Sequence, residues 1–135
     1  MNVRDAVEAD GGRLAALADV PTDVMADVVH DRTVRVAESD GDIDGFVGYE
    51  ADEKTVHVTH LFGAESACER LLDEPIRFAE RETMPVEILL PESETESDTI
   101  AVAEAVGFEE TEPGPWFDGH RTRRFRLENP TTERE

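Results

Sequence analysis

The chain has 135 residues, carries 33 acidic against 13 basic side chains for a net charge of −20, and is 39% apolar. That length and apolar share predict one domain with one core, and the charge argues against nonspecific binding to nucleic acid. No apolar run reaches the roughly 18 residues of a membrane span, nothing at the N-terminus reads as a secretory leader, and the single Cys68 can form neither an internal disulfide nor a cysteine-rich zinc site, so a soluble cytoplasmic protein with no membrane partner is expected.

Asn2–Val7 alternates as a short strand. Asp10 is placed to cap a helix running through Ala18, with Leu14, Leu17 and Ala18 on its buried face. Pro21 opens a second helix carrying Val24, Met25, Val28 and Val29. Thr33–Glu38 and Ile43–Glu50 alternate as the two strands of a hairpin around the turn Ser39–Asp42. Thr55–Leu61 is a further alternating strand, and Phe62–Cys68 is a short run of mostly small residues. Ser66–Glu82 then sets Cys68, Leu71, Leu72, Ile76 and Ala79 at helical spacing, with Pro75 predicting a kink. Val86–Leu90 reads as a strand buried on both faces and Pro91–Asp98 as an acidic loop. Ser97 or Asp98 caps a last helix with Ile100, Val102, Ala103 and Val106 apolar and Gly107 just past its end. Glu109–Gly119 reads as irregular, ending in the hairpin turn Asp118-Gly119. His120–Leu127 alternates as the closing strand. There is no internal repeat, so residues 1–128 are expected to form a single domain, with Asn129–Glu135 as a polar tail.

Twelve of the basic residues are arginine and only Lys54 is lysine, while acids decorate every segment. An acidic interaction tail gathers its charge in a block. An even spread instead resembles the proteins of extreme halophiles, such as haloarchaea. In molar salt the Debye length falls to about 3 Å, and only local charges act.

The element order β-α-α-β-β-β-α-β-α-β-β resembles the GNAT fold of N-acetyltransferases over roughly residues 2–128. Arg4-Asp5-Ala6 followed by Asp10, Leu14 and Leu17 is similar to that family's opening strand and helix. Val36-Ala37-Glu38, Gly41 and Gly45-Phe46-Val47 are similar to its second and third strands. Leu71-Leu72, Ile76, Phe78-Ala79 and Ile88-Leu89-Leu90 are similar to its central helix and fifth strand, and Ala105-Val106-Gly107-Phe108 to the end of its last helix. The resemblance implies an α/β (α+β) domain: a mixed, mostly antiparallel sheet of six or seven strands with helices on both faces. It also implies transfer of an acyl group from acetyl-CoA, or another acyl-CoA, to a primary amine on a small molecule or protein.

In that family a loop of the form Gln/Arg-x-x-Gly-x-Gly/Ala follows the fourth strand and holds the cofactor pyrophosphate on backbone N–H groups at a helix N-terminus. Registered on Leu71-Leu72, its three slots hold Gly63, Ser66 and Cys68, none of which matches the pattern. The resemblance then implies Val58, His60 and Leu61 along the pantetheine arm, and Gly63, Ala64, Ser66, Ala67 and Cys68 at the pyrophosphate. Arg70 would offset Glu65, and Arg77 or Arg81 would meet outlying phosphates.

The base that deprotonates the amine is expected among His57, His60 and Glu87, with Glu50 nearby. Simple strand alternation sets His57 and His60 on opposite faces, which also makes them a poor metal pair, and no metal site is expected. Ala103 stands where the family carries its acidic tyrosine, and the only tyrosine is Tyr49. Water, Cys68 or His60 is left to protonate the thiolate. Cys68 near a helix N-terminus could have a lowered thiol pKa, but Glu65 and Glu69 oppose that, and an inert buried cysteine is expected.

Arg121, Arg123, Arg124 and Arg126 form a basic stripe. Thr122, Arg124 and Arg126 share one strand face, and Arg121, Arg123 and Phe125 the other. The stripe would bind an acidic substrate or phosphate, or pair with neighbouring acids. Trp116 and Phe117 would line a substrate pocket or a homodimer contact. The departures from the family pattern leave a second reading open: a GNAT-like domain without catalysis, serving regulation, acyl-CoA sensing or protein interaction.

Overall fold

The apolar residues separate into two sets, one on each face of a single sheet. The structure is a computed structural model that describes residues 2–91, 97–117 and 120–128. Its elements are β1 (Asn2–Asp5), α1 (Gly11–Ala18), α2 (Thr22–Asp31), β2 (Thr33–Ser39), β3 (Asp42–Ala51), β4 (Val56–Gly63), α3 (Glu65–Glu82), β5 (Val86–Pro91), α4 (Ser97–Val106), β6 (Glu109–Phe117) and β7 (His120–Leu127). The seven strands run in the order β1-β2-β3-β4-β5-β7-β6. Only β4 and β5 are parallel neighbours; every other adjacent pair is antiparallel. The expected mixed sheet with helices on both faces is the architecture found.

Against one face lie α3 and α4. Cys68, Leu72, Ile76 and Ala79 recur every three or four residues on α3, with Leu71 beside Leu72, and all five are buried in one core with Val56, Val58, Leu61, Ile88 and Phe125 of the sheet. That periodicity is what makes the segment a helix and fixes which side it buries. The helix runs on through Pro75, whose missing N–H leaves the Leu71 carbonyl without its usual partner. On the other face α1 and α2 cover a smaller cluster built from Leu14, Met25, Val34, Val36, Ile43 and Phe46. The β2–β3 turn has Asp40 at φ 52° and Gly41 at φ 86°, the two left-handed residues a tight hairpin needs.

Asp10 does not cap α1 with its side chain. It ends a short 3-10 turn, Glu8–Asp10, and its carboxylate accepts the Val7 N–H at 2.8 Å. The same carboxylate takes two hydrogen bonds from Arg4, at 2.8 and 3.1 Å, and Arg4 also reaches Glu38 at 2.9 Å. This network ties the start of the chain to β2. The Arg4 guanidinium holds the Asp10 carboxyl below the usual carboxylate range.

The stretch read as irregular is a strand. β6 pairs with β7 from Glu109 onward, with register shifts on both sides of Pro113, where the ladder cannot use a proline N–H. Residues 92–96 of the acidic loop, the Asp118-Gly119 turn and the tail 129–135 lie outside the described residues, as do the side chains of Trp116, Phe117 and Arg121. No helix among the described residues is long and apolar enough to cross a membrane.

Candidate active-site cleft

The two parallel strands meet over only three residue pairs: Val56 with Val86, His57 with Glu87, and Val58 with Ile88. Beyond them β4 keeps its pairing to β3 as far as Gly63, and β5 keeps its pairing to β7 as far as Pro91. Thr59–Gly63 and Leu89–Pro91 therefore part from each other while staying in the same sheet. Among the described residues their facing edges have no ladder partner, which leaves a cleft between them.

β4 is bulged at the mouth of this cleft. Gly48 of β3 pairs with His60 and Tyr49 pairs with Val58, so Thr59 is the extra residue. The bulge changes the facing of everything after it. Val56, Val58 and Leu61 all lie in the α3-side core, whereas His60 stacks near Phe46 and Phe62 on the α1–α2 side, with centroids 6.2 and 6.3 Å away. His57, between Val56 and Val58, points to that same α1–α2 side. The expectation that the two histidines lie on opposite faces is thus overturned, because alternation counts residues and the bulge adds one.

His60 is half-buried, and its Nδ1 lies 2.9 Å from Thr59 Oγ1. Burial, aided by the nearby Arg32 charge, pushes its pKa below the ordinary histidine value, which favours the neutral ring. His57 is more exposed and is engaged by Asp52, Nε2 to Oδ2 at 3.0 Å. That contact, with the N–H groups of Lys54 and Thr55, pushes the Asp52 carboxyl down to about 2. Glu87 is mostly buried, and both its oxygens face guanidinium groups: Oε2 is 3.1 Å from Arg126 and Oε1 is 3.7 Å from Arg124. Arg124 and Arg126 of the basic stripe thus pair with an acid on the face that alternation predicts. On the opposite face Arg123 pairs with Glu110 at 2.7 Å and lies over the Phe125 ring.

Across the sheet these side chains form a polar row. Glu50, His57, Glu87 and Arg126 are successive cross-strand partners on the α1–α2 face. Of the three candidate bases, His57 and Glu87 sit where β4 and β5 are still paired. His60 alone stands past the point of parting.

The link between β4 and α3 is a single residue. Gly63 ends the strand and α3 begins at Glu65, so only Ala64 stands between them. The segment read as a phosphate loop is accordingly redistributed, with Ser66, Ala67 and Cys68 in the first turn of α3. Ala67 and Cys68 are buried, and the Cys68 N–H already donates to the Ala64 carbonyl at 2.9 Å. Glu65 and Ser66 remain exposed, and no side chain caps the helix, so the N–H groups of its first turn point outward without helical partners. The Glu65 carboxylate stands beside them. Arg70 lies farther along, in a shallow groove with Val3, Asp73, Glu74 and Arg77 between α3 and the β1 edge.

Cys68 is 1% exposed, as expected of an inert helix cysteine. Tyr49 packs into the α3-side core against Phe78, and burial raises its phenol pKa. Ala103, in the slot of the missing tyrosine, is fully buried. No group of three or more potential metal ligands gathers among the described residues.

What sequence reasoning missed is Thr59. The signal was present in the spacing: core positions at Val56 and Val58 are followed by Leu61, a step of three where a regular strand takes two.

No protein-family model matches the sequence, and no curated protein matches it. The fold is shared with solved structures. A GNAT-family protein from Desulfovibrio desulfuricans superposes with a TM-score of 0.77 at 17% identity, over 95% of this chain and 98% of that one. The ribosomal-protein-alanine N-acetyltransferase of Brucella melitensis gives 0.74 at 19% identity, over 93% and 98%. A GNAT family acetyltransferase from Elizabethkingia anophelis, with acetyl-CoA bound, gives 0.65 at 18% identity, over 93% and 95%. With its parted parallel strands and single central helix beneath them, this chain has the GNAT fold.

Proposed function

We propose that the protein is an acyl-CoA-dependent N-acyltransferase of the GNAT superfamily, with acetyl-CoA as its donor and a primary amine as its acceptor. The observation that carries this reading is the cleft where β4 and β5 part, with the half-buried His60 imidazole at its mouth. The donor's arm fits that cleft as an added strand, taking hydrogen bonds from the backbone of Val58–Leu61. The uncapped first turn of α3 suits the pyrophosphate through the N–H groups of Glu65, Ser66 and Ala67 and the helix dipole, while Ala64 and Cys68 flank it with their own N–H groups bonded to the Asp44 and Ala64 carbonyls. Gly63 brings β4 to that turn, and Ala67 anchors it in the core. Glu65 weakens the site in dilute buffer. Arg70 offers a compensating charge, and molar salt screens the repulsion.

Bound acyl-CoA supplies an activated thioester. The chain's part is to make the amine a nucleophile: an ammonium acceptor loses its proton to His60, directly or through one water. Glu87 and His57, on the still-paired part of β4 and β5 next to the cleft, hold the polar row that frames the acceptor side. Cys68 and Tyr49 are buried away from solvent, so the departing thiolate takes its proton from water.

The even spread of acids supports a protein that works in the salt-rich cytoplasm of a halophile. Calorimetric titration with acetyl-CoA in molar KCl tests the reading, and absence of binding under those conditions sinks it. The second reading, an acyl-CoA sensor without turnover, is favoured by buried Ala103 in the tyrosine slot and by the single-residue link. It predicts binding in the same titration together with no acetylated product from a panel of primary amines.

A further inference from the structure

We infer that Thr59, the bulged residue of β4, is a positioning residue that fixes the tautomer of His60 and leaves Nε2 as the proton-accepting nitrogen. The inference rests on the reading of His60 as the base. In a regular strand Thr59 and His60 would point to opposite faces. The bulge puts both on the α1–α2 face, so the hydroxyl of one residue meets the ring of the next.

Thr59 Oγ1 makes two short contacts. It lies 3.2 Å from the Gly48 carbonyl oxygen and 2.9 Å from His60 Nδ1. A carbonyl can only accept, so the first contact uses the single hydroxyl proton. The oxygen then faces Nδ1 with a lone pair, and that contact is a hydrogen bond only if Nδ1 carries the proton. The relay His60 Nδ1–H to Thr59 Oγ1–H to Gly48 O satisfies both contacts; the other tautomer breaks one of them.

A neutral imidazole has one N–H and one lone pair, so protonation at Nδ1 puts the lone pair at Nε2. Among the described residues the ring's hydrogen bond is at Nδ1, and Nε2 is left for an acceptor amine or its water. Gly48 contributes by being small. A Cβ there would stand 3.3 Å from His60 Nδ1 and from its Cβ, tight enough to displace the ring from the hydroxyl.

Proton transfer balances without any further reagent. Nε2 gains the ammonium proton, Nδ1 keeps its own, and the resulting imidazolium charge is shared with the Thr59 oxygen through the existing hydrogen bond.

The test is two-bond 15N–1H correlation spectroscopy of the histidine side chains at about pH 8, where a histidine is neutral. It uses the full chain, with His60 assigned by comparison with His60→Gln. The expected spectrum has a pyrrole-like Nδ1 and a pyridine-like Nε2. Thr59→Val should shift the ring toward the Nε2–H form, and Thr59→Ser, which keeps the hydroxyl, should restore the wild-type pattern. A wild-type His60 in the Nε2–H form overturns the inference without needing any variant. A Thr59→Val protein that keeps the Nδ1–H form overturns it as well. The readout is independent of catalysis, so an inactive protein with Nδ1–H His60 would refute the acyltransferase reading and leave this assignment standing.

Discussion

Replacing Gly63 with alanine should cost the protein a large part of its stability, and the size follows from two separate terms. Gly63 has φ +129°, a backbone region nearly closed to residues with a Cβ. Strain of that kind costs about 1–3 kcal/mol. An added Cβ would also stand 2.4 Å from the Asp44 carbonyl oxygen and 2.5 Å from Gly45 Cα. Both are backbone atoms that no rotamer change can move, and forced overpacking adds about 1–3 kcal/mol. The sum, about 4 kcal/mol, is a sizeable fraction of the 5–15 kcal/mol that typically holds a domain together. Gly41→Ala is the control, because that residue also has positive φ, at 86°, but a Cβ there meets nothing within 4 Å. Urea unfolding followed by circular dichroism in constant molar KCl measures both. If Gly63→Ala is no more destabilising than Gly41→Ala, the close approach of β3 to β4 is not what requires glycine here, and the reasoning fails.

Asp10→Ala should cost about 2 kcal/mol by leaving Arg4 and the Val7 N–H short of their acceptor, charge-assisted hydrogen bonds each being worth about 1.5–3 kcal/mol. Because the Asp10 carboxyl is held below its ordinary range, its contribution is complete above the unfolded carboxylate pKa and lost as pH falls through the depressed folded value; the acid limb of a stability-against-pH curve should flatten in the variant. His60→Gln should lower kcat/KM for acetyl transfer by about 10²-fold or more, and the wild-type rate should fall on the acid side only once pH drops below the depressed His60 value. The same depression means that the unfolded chain binds the proton first, so His60 opposes folding increasingly as pH falls below about 6.5, and the Gln variant should lose that slope. Cys68, with its Sγ buried 3.6 Å from the Gly63 carbonyl oxygen, should react with a thiol reagent only as fast as the protein opens, and at full rate in denaturant; rapid labelling of the native chain would contradict its placement.

Much of the fold was legible because its determinants are local. Leu71, Leu72, Ile76 and Ala79 announce a helix and its buried side in one glance at their spacing, and all four are in the core. Asp40-Gly41 announces a hairpin, and the turn forms there. Elsewhere the local signal was ambiguous. Pro113, Gly114 and Pro115 read as irregular, yet partnership with β7 holds that segment in the sheet despite its register breaks. The type and position of Asp10 suit a helix cap. Its carboxylate is instead taken by Arg4 across the short 3-10 turn after β1, and the β1–β2 register adds Glu38 to the same guanidinium.

What the sequence by itself determined is the order and kind of most of the elements, the buried side of α3, and the placing of the β4–α3 unit at the centre. Those follow from periodicity and turn chemistry, which act over a few residues. Only the tertiary structure decided which polar residues share a face and which stand at an opening. The extra residue at Thr59 turned His60 to the side of His57, and the end of the β4–β5 ladder after Val58 and Ile88 put His60, but not Glu87, beside the cleft. The bulge leaves a trace in the Val56, Val58, Leu61 spacing, but the end of the ladder depends on how β4 and β5, separated by α3, register against each other, and no window along one strand contains that information.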